Sequence, residues 1–120
     1  MRDQLVGAVL SGAKTATSSL LAEWEADAES LPKVGERMTV VDSDENPVAV
    51  VELVAVDVIR LGDAGPRLAR DEGEGFKTVS EWREAHERFW GDQVPADRVE
   101  PLTDDTRIVV ERFRLVETEP

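Results

Sequence analysis

Val48-Ala49-Val50-Val51-Glu52-Leu53-Val54-Ala55-Val56-Asp57-Val58-Ile59-Arg60-Leu61 is the stretch on which the fold turns. Valine and isoleucine occupy both even and odd positions, so the run lacks the one-sided alternation of a half-exposed strand. β-branched side chains lose rotamer freedom in a helix and pack well on a pleated surface, which disfavours a helix here. The run therefore reads as a strand buried on both faces, or as a bent strand crossing a small barrel.

On the N-terminal side of this run, Arg37 to Asp42 reads as a strand, preceded by a turn from Pro32 to Gly35 and closed by Ser43-Asp44-Glu45-Asn46-Pro47. Residues 3 to 11 form a short amphipathic helix, with Leu5 and Val9 one turn apart, Val6 and Leu10 another such pair, and Gly12 at the left-handed cap position. Thr15 to Ser19 is expected to be extended, and Leu20 to Ser30, with Leu21, Trp24 and Ala28 at helical spacing, to be a short helix or ordered loop.

On the C-terminal side, Pro66 to Asp71 forms one or two helical turns before Gly73 and Gly75. Thr78-Val79-Ser80-Glu81 matches a capping box, and the helix it opens carries Trp82, Ala85, His86 and Phe89 on one face before stopping at Gly91. Asp92 to Asp105 is a polar connection. Arg107 to Val116 is a closing strand with Phe113 and Leu115 on one side and Arg112 and Arg114 on the other.

At 120 residues the chain is expected to be a single domain, residues 1–120, large enough for a core of its own. It contains no cysteine, which excludes disulfides and thiolate metal sites and suits a reducing cytoplasm. No stretch has the plan of a signal peptide or the length of a membrane span, so no membrane partner is expected. The 26 acidic and 14 basic side chains give a formal net charge of −12. Such a surface repels polyanions at long range, which argues against duplex DNA as a partner while leaving room for a single nucleoside or base.

Two clusters carry candidate chemistry. In Leu10-Ser11-Gly12-Ala13-Lys14-Thr15-Ala16-Thr17-Ser18-Ser19-Leu20 one lysine stands among hydroxyl side chains. A desolvated amine serves as base toward a hydroxyl, although serine and threonine beside glycine also simply satisfy turn backbone. In Glu72-Gly73-Glu74-Gly75 two carboxylates flank a glycine, an arrangement able to hold a divalent cation and equally able to be a solvated turn. His86, the one histidine, cannot belong to a histidine metal cluster. It reads as a hydrogen-bonded core residue or, with Trp82, as the border of a base-binding cleft. Trp24 lies beside the lysine segment in sequence and is a second candidate for stacking a base.

Taken together with Pro32-Lys33-Val34-Gly35-Glu36, Val41-Asp42-Ser43 and Trp82-Arg83-Glu84-Ala85-His86-Glu87-Arg88-Phe89, these stretches resemble, over roughly residues 5 to 116, the ASCH domain of the PUA-like superfamily. The resemblance implies an α+β fold: a small β-barrel of about five or six strands with flanking helices. Similar small enzymes hydrolyse N4-acetylcytidine with a Lys-x-x-Thr segment and a glutamate from an Ala-x-x-Glu-[Gly/Asn] turn. Lys14 with Thr17, and Ala69 to Gly73, fill these two patterns.

By that resemblance Lys14 would activate the Thr17 hydroxyl, and Glu72 would orient the lysine or pass the proton to the departing amine. In an extended segment Thr15 and Thr17 share a face and Ser18 faces away. Thr15, Trp24, Glu74, Trp82 and His86 would line the ligand cleft, with no metal and no other cofactor. The chain departs from these enzymes in the insertion from Leu20 to Leu31 and in Ser18-Ser19, where a basic side chain is expected. The expected ligand is a modified pyrimidine nucleoside or an exposed RNA base, and the resemblance to the enzymes implies hydrolysis where that ligand is an acylated cytidine. The alternatives are an RNA-binding or metal-dependent ribonuclease domain and a non-catalytic interaction module.

Overall fold

The computed structural model describes residues 2–26, 30–93 and 102–118. Helix α1 (Arg2–Ser11) stops where Gly12 takes a φ of 83°, a conformation that costs residues with a Cβ. The Gly12 amide donates to the Val9 carbonyl at 3.1 Å and the Lys14 amide to the Ala8 carbonyl at 3.0 Å, which satisfies the last turn. Strand β1 (Ala16–Leu20) and the single-turn-and-a-half helix α2 (Leu21–Ala26) follow. The last part of the expected Leu20–Ser30 helix lies outside the described residues.

Strands β2 (Arg37–Val41), β3 (Pro47–Arg60) and β4 (Arg107–Thr118) complete one antiparallel sheet in the order β1-β4-β3-β2. Among the described residues the sheet has four strands, not the five or six expected, and it forms a curled, barrel-like half shell within an α+β architecture. The curl explains why valine occupies both parities of β3. Its pairing with β4 shifts between Val50 and Val51 and again between Leu53 and Ala55. Each shift changes which parity faces inward, as a bulge does. Val51, Leu53 and Val56 thus serve one face, while Ile59 packs into the core on the other.

That second core lies under a short 3₁₀ turn (Leu61–Asp63), helix α3 (Pro66–Asp71) and helix α4 (Val79–Gln93). It gathers Ala16, Leu20, Ile108 and Val110 from the sheet with Leu61, Leu68, Trp82 and Trp90 from the cover. The opposite face holds a smaller core in which Val9 of α1 meets Val51, Leu53 and Phe113. The expected capping box is present: the Glu81 amide donates to Thr78 Oγ1 at 3.1 Å, and Glu81 Oε1 accepts from the Lys77 amide at 2.8 Å.

The buried stripe of α4 is Trp82, His86 and Trp90, whereas Phe89 is 54% exposed. At 100° per residue this stripe is centred on His86, which turns Phe89 toward its edge and corrects its expected place in the core. Helix α4 also runs past Gly91 to Gln93. No helix among the described residues is long and apolar enough to cross a membrane.

Candidate functional site

The Glu72 turn and the lysine segment meet because of one glycine. Gly73, directly after α3, has a φ of 69°, and a Cβ there would stand 2.7 Å from the Ala13 carbonyl and from Lys14 Cα. With only a hydrogen in that space, the Lys14 segment seats on the end of α3. The Thr15 amide donates to the Asp71 carbonyl at 2.7 Å, and Lys14 Nζ donates to the Glu72 main-chain carbonyl at 3.0 Å. A cation at the end of a helix is favourably placed against its unpaired carbonyls. The Arg112 guanidinium holds the Asp71 carboxylate at 2.8 Å, tying the same helix end to β4.

Glu72 is 1% exposed and its side chain is fully engaged. It accepts hydrogen bonds from Trp82 Nε1 and from Ser18 Oγ, the latter at 3.3 and 3.2 Å from its two oxygens, and its Oε1 lies 3.2 Å from His86 Nε2. His86 Nδ1 lies 2.8 Å from the Trp82 carbonyl, which can only accept, so Nδ1 carries a proton. Burial works against charging this ring, but the Glu72 hydrogen bond and charge, the Trp82 carbonyl and the Glu74 charge together raise its pKa above the ordinary histidine value. Trp82 stacks on His86 with centroids 4.3 Å apart, and Phe76 and Trp90 close round the ring.

This arrangement joins Lys14 to Glu72 through a main-chain carbonyl rather than through the carboxylate. It does not bring in Thr17. Because β1 starts at Ala16, the positions that alternate toward Glu72 are Ala16, Ser18 and Leu20, and Ser18 takes the contact expected of Thr17. Ser18 faces away from Thr17, as expected, but it is the Ser18 face that meets Glu72. Trp82 is fully buried, with one face on His86 and its N–H on Glu72, so it offers no surface to a base. His86 is the hydrogen-bonded core histidine. Glu74 is exposed, and one ligating atom each from Glu72, Glu74 and His86 lie within 4.8 Å of one another. A cation held there would have to replace the existing contact between Glu72 and His86.

Thr17 faces the other side of the sheet, directly opposite Glu111 on β4. That side carries a cleft of about 450 Å³ lined by Trp24, Ser30, Leu31, Pro32, Lys33, Glu36, Met38 and Glu111. The Trp24 indole N–H donates to Ser19 Oγ at 2.9 Å, which fixes the ring of the expected stacking residue. Thr15 enters the fold through its main chain: its carbonyl accepts from the Phe113 amide at 3.0 Å.

Two residues of these sites escape a motif search. Ser18 sits beside the motif threonine and is selected only by strand parity. Glu111 is a lone acid within Ile108-Val109-Val110-Glu111-Arg112-Phe113, and a charge on the inward parity of an apolar strand is the sequence signal that marks it.

A family model described as the ASCH domain matches residues 1–117. Among solved structures, the chain is similar to a crystal structure of a protein from Enterococcus faecalis assigned to the DUF984 family model, with 28% identity and a TM-score of 0.86 over 96% of this chain and 68% of that one. It is likewise similar to the ASCH domain from Lactobacillus crispatus, with 27% identity and a TM-score of 0.85 over 94% of this chain and 70% of that one. No curated protein matches.

Proposed function

Because the chain belongs to the ASCH domain family, whose members generally bind RNA, we propose that it binds an exposed RNA base or a modified nucleoside in the cleft between Trp24 and Glu111. The observation that carries this reading is the cleft itself. Its volume of about 450 Å³ lies within the range of small-molecule sites, and its walls combine a pinned aromatic ring, the apolar side chains Leu31, Pro32 and Met38, and the charged groups Lys33, Glu36 and Glu111. Base rings bind in such surroundings by stacking on an aromatic face while one polar group reads an edge.

Hydrolysis by Lys14, Thr17 and Glu72 finds less support, since Thr17 and the Glu72 carboxylate stand on opposite faces of the sheet and the carboxylate is occupied by Trp82, Ser18 and His86. The test is calorimetric titration of the protein with cytidine, N4-acetylcytidine, guanosine and a short single-stranded RNA, with acetate release followed in parallel. Trp24→Ala should weaken binding by about 1–3 kcal/mol, the usual worth of one base–aromatic stack. Unchanged affinity in that variant, or acetate release abolished by Thr17→Ala, would move the function away from base binding in this cleft.

A further inference from the structure

We propose that Glu111 makes this cleft selective for a planar ring edge bearing two adjacent N–H donors, the edge that guanine presents. The proposal rests on the base-binding reading above and names its ligand. Glu111 is 8% exposed, lines the cleft, and has no hydrogen-bond or ion-pair partner among the described residues. Its strand neighbours do not supply one: Thr17 and Val56 stand opposite it on the two flanking strands, and Val109 and Phe113 precede and follow it on the same face. No fully buried side-chain oxygen among the described residues lacks a partner, so the Glu111 oxygens reach solvent at the cleft, and donors from a bound partner would take the place of that water. Burial, and then the nearby Glu36 charge, raise its pKa, as expected of a carboxylate short of donors.

The geometry narrows the partner. An ionised carboxylate only accepts, and its two oxygens match two parallel N–H groups. Guanine offers such a pair at N1 and its 2-amino group. Adenine and cytosine place a donor beside an acceptor, and uracil sets its single N–H between two carbonyls. The Trp24 N–H is already committed to Ser19 Oγ, so that side chain offers a ring face, which calls for a flat ligand. Leu31, Pro32 and Met38 supply apolar walls, and Ser30, Lys33 and Glu36 supply polar ones beside them.

The experiment is calorimetric titration of the full chain with guanosine, inosine, adenosine, cytidine, uridine, a UUGU tetranucleotide and methylguanidinium. Guanosine should bind at least tenfold more tightly than adenosine, cytidine or uridine. Inosine, which lacks the 2-amino group, should bind roughly tenfold more weakly than guanosine. Glu111→Gln, an isostere in which an NH2 group replaces one acceptor oxygen, should bring guanosine to within about threefold of the others while keeping the near-UV circular dichroism of the folded protein. UUGU tighter than guanosine would support the edge selectivity with RNA as its source, and the reverse order would support it with a free nucleoside. Equal affinity for all four nucleosides would overturn the selectivity and leave base binding standing. No nucleoside binding would overturn both, and methylguanidinium binding alone would replace the base with an arginine side chain of a protein partner.

Discussion

Two buried acids do opposite work. Glu72 accepts donors from three side chains, Ser18, Trp82 and His86, and joins β1, α3 and α4. Removing it in Glu72→Ala strands those donors, at about 1–3 kcal/mol for each one left unpaired, so a large drop in the denaturant midpoint is expected. His86 adds a pH signature to the same cluster. Its folded pKa is raised, so its contribution is fully present below the unfolded value of about 6.5 and fades as pH rises through the folded one. The destabilisation caused by His86→Gln, read from denaturant midpoints, should therefore be larger at about pH 6 than at about pH 8.5.

Glu111 carries a raised pKa with no donor, so its folded-state penalty is absent below the unfolded value, grows as pH rises above it and is complete once pH exceeds the raised one. Glu111→Gln should raise the thermal midpoint at neutral pH, with a gain that shrinks at about pH 4. A lower midpoint at neutral pH would mean that the carboxylate is satisfied within the fold. At this scale the sequence exposed Lys14 and Glu72 as neighbours but assigned the hydroxyl to the wrong residue. A short motif names residue types, whereas strand parity decides which hydroxyl arrives, and parity depends on where β1 begins.

Among the elements, α4 and β3 were the most legible. The capping box at Thr78 and Glu81 predicts the start of α4, and the double-parity valines predict a bent β3. What eluded the sequence was rotation about the axis of α4, since Phe89 and Trp90 are adjacent and both aromatic, and the choice between them is made by packing against Ile108 and Val110. The number of strands was equally out of reach because it depends on long-range pairing. Trp82→Ala should cost about 3–5 kcal/mol, as expected for a fully buried aromatic ring in this helix–sheet core. A loss under about 1 kcal/mol, typical of surface positions, would contradict its burial. Gly73→Ala places a methyl group against the Ala13–Lys14 backbone and should displace the Lys14 segment, visible as faster amide exchange at Thr15 than in the unaltered protein.

For the molecule as a whole, the formal charge of −12 sets what approaches it. Duplex nucleic acid should bind weakly if at all, since each phosphate meets net repulsion within a Debye length of about 8 Å at physiological salt. A neutral ring entering the cleft avoids most of that repulsion, so its affinity should change little with salt. The curled sheet separates the two sites: the Glu72 cluster lies under α3 and α4, and the cleft opens on the other side between β2, β4 and residues 30–33. The most direct measurement is therefore a titration of isotopically labelled protein with guanosine, followed by amide and indole resonances. Shifts are expected at the Trp24 indole, Lys33, Met38 and Glu111 while the Trp82 indole stays in place; shifts centred on Lys14, Glu74 and the Trp82 indole would contradict base binding in this cleft.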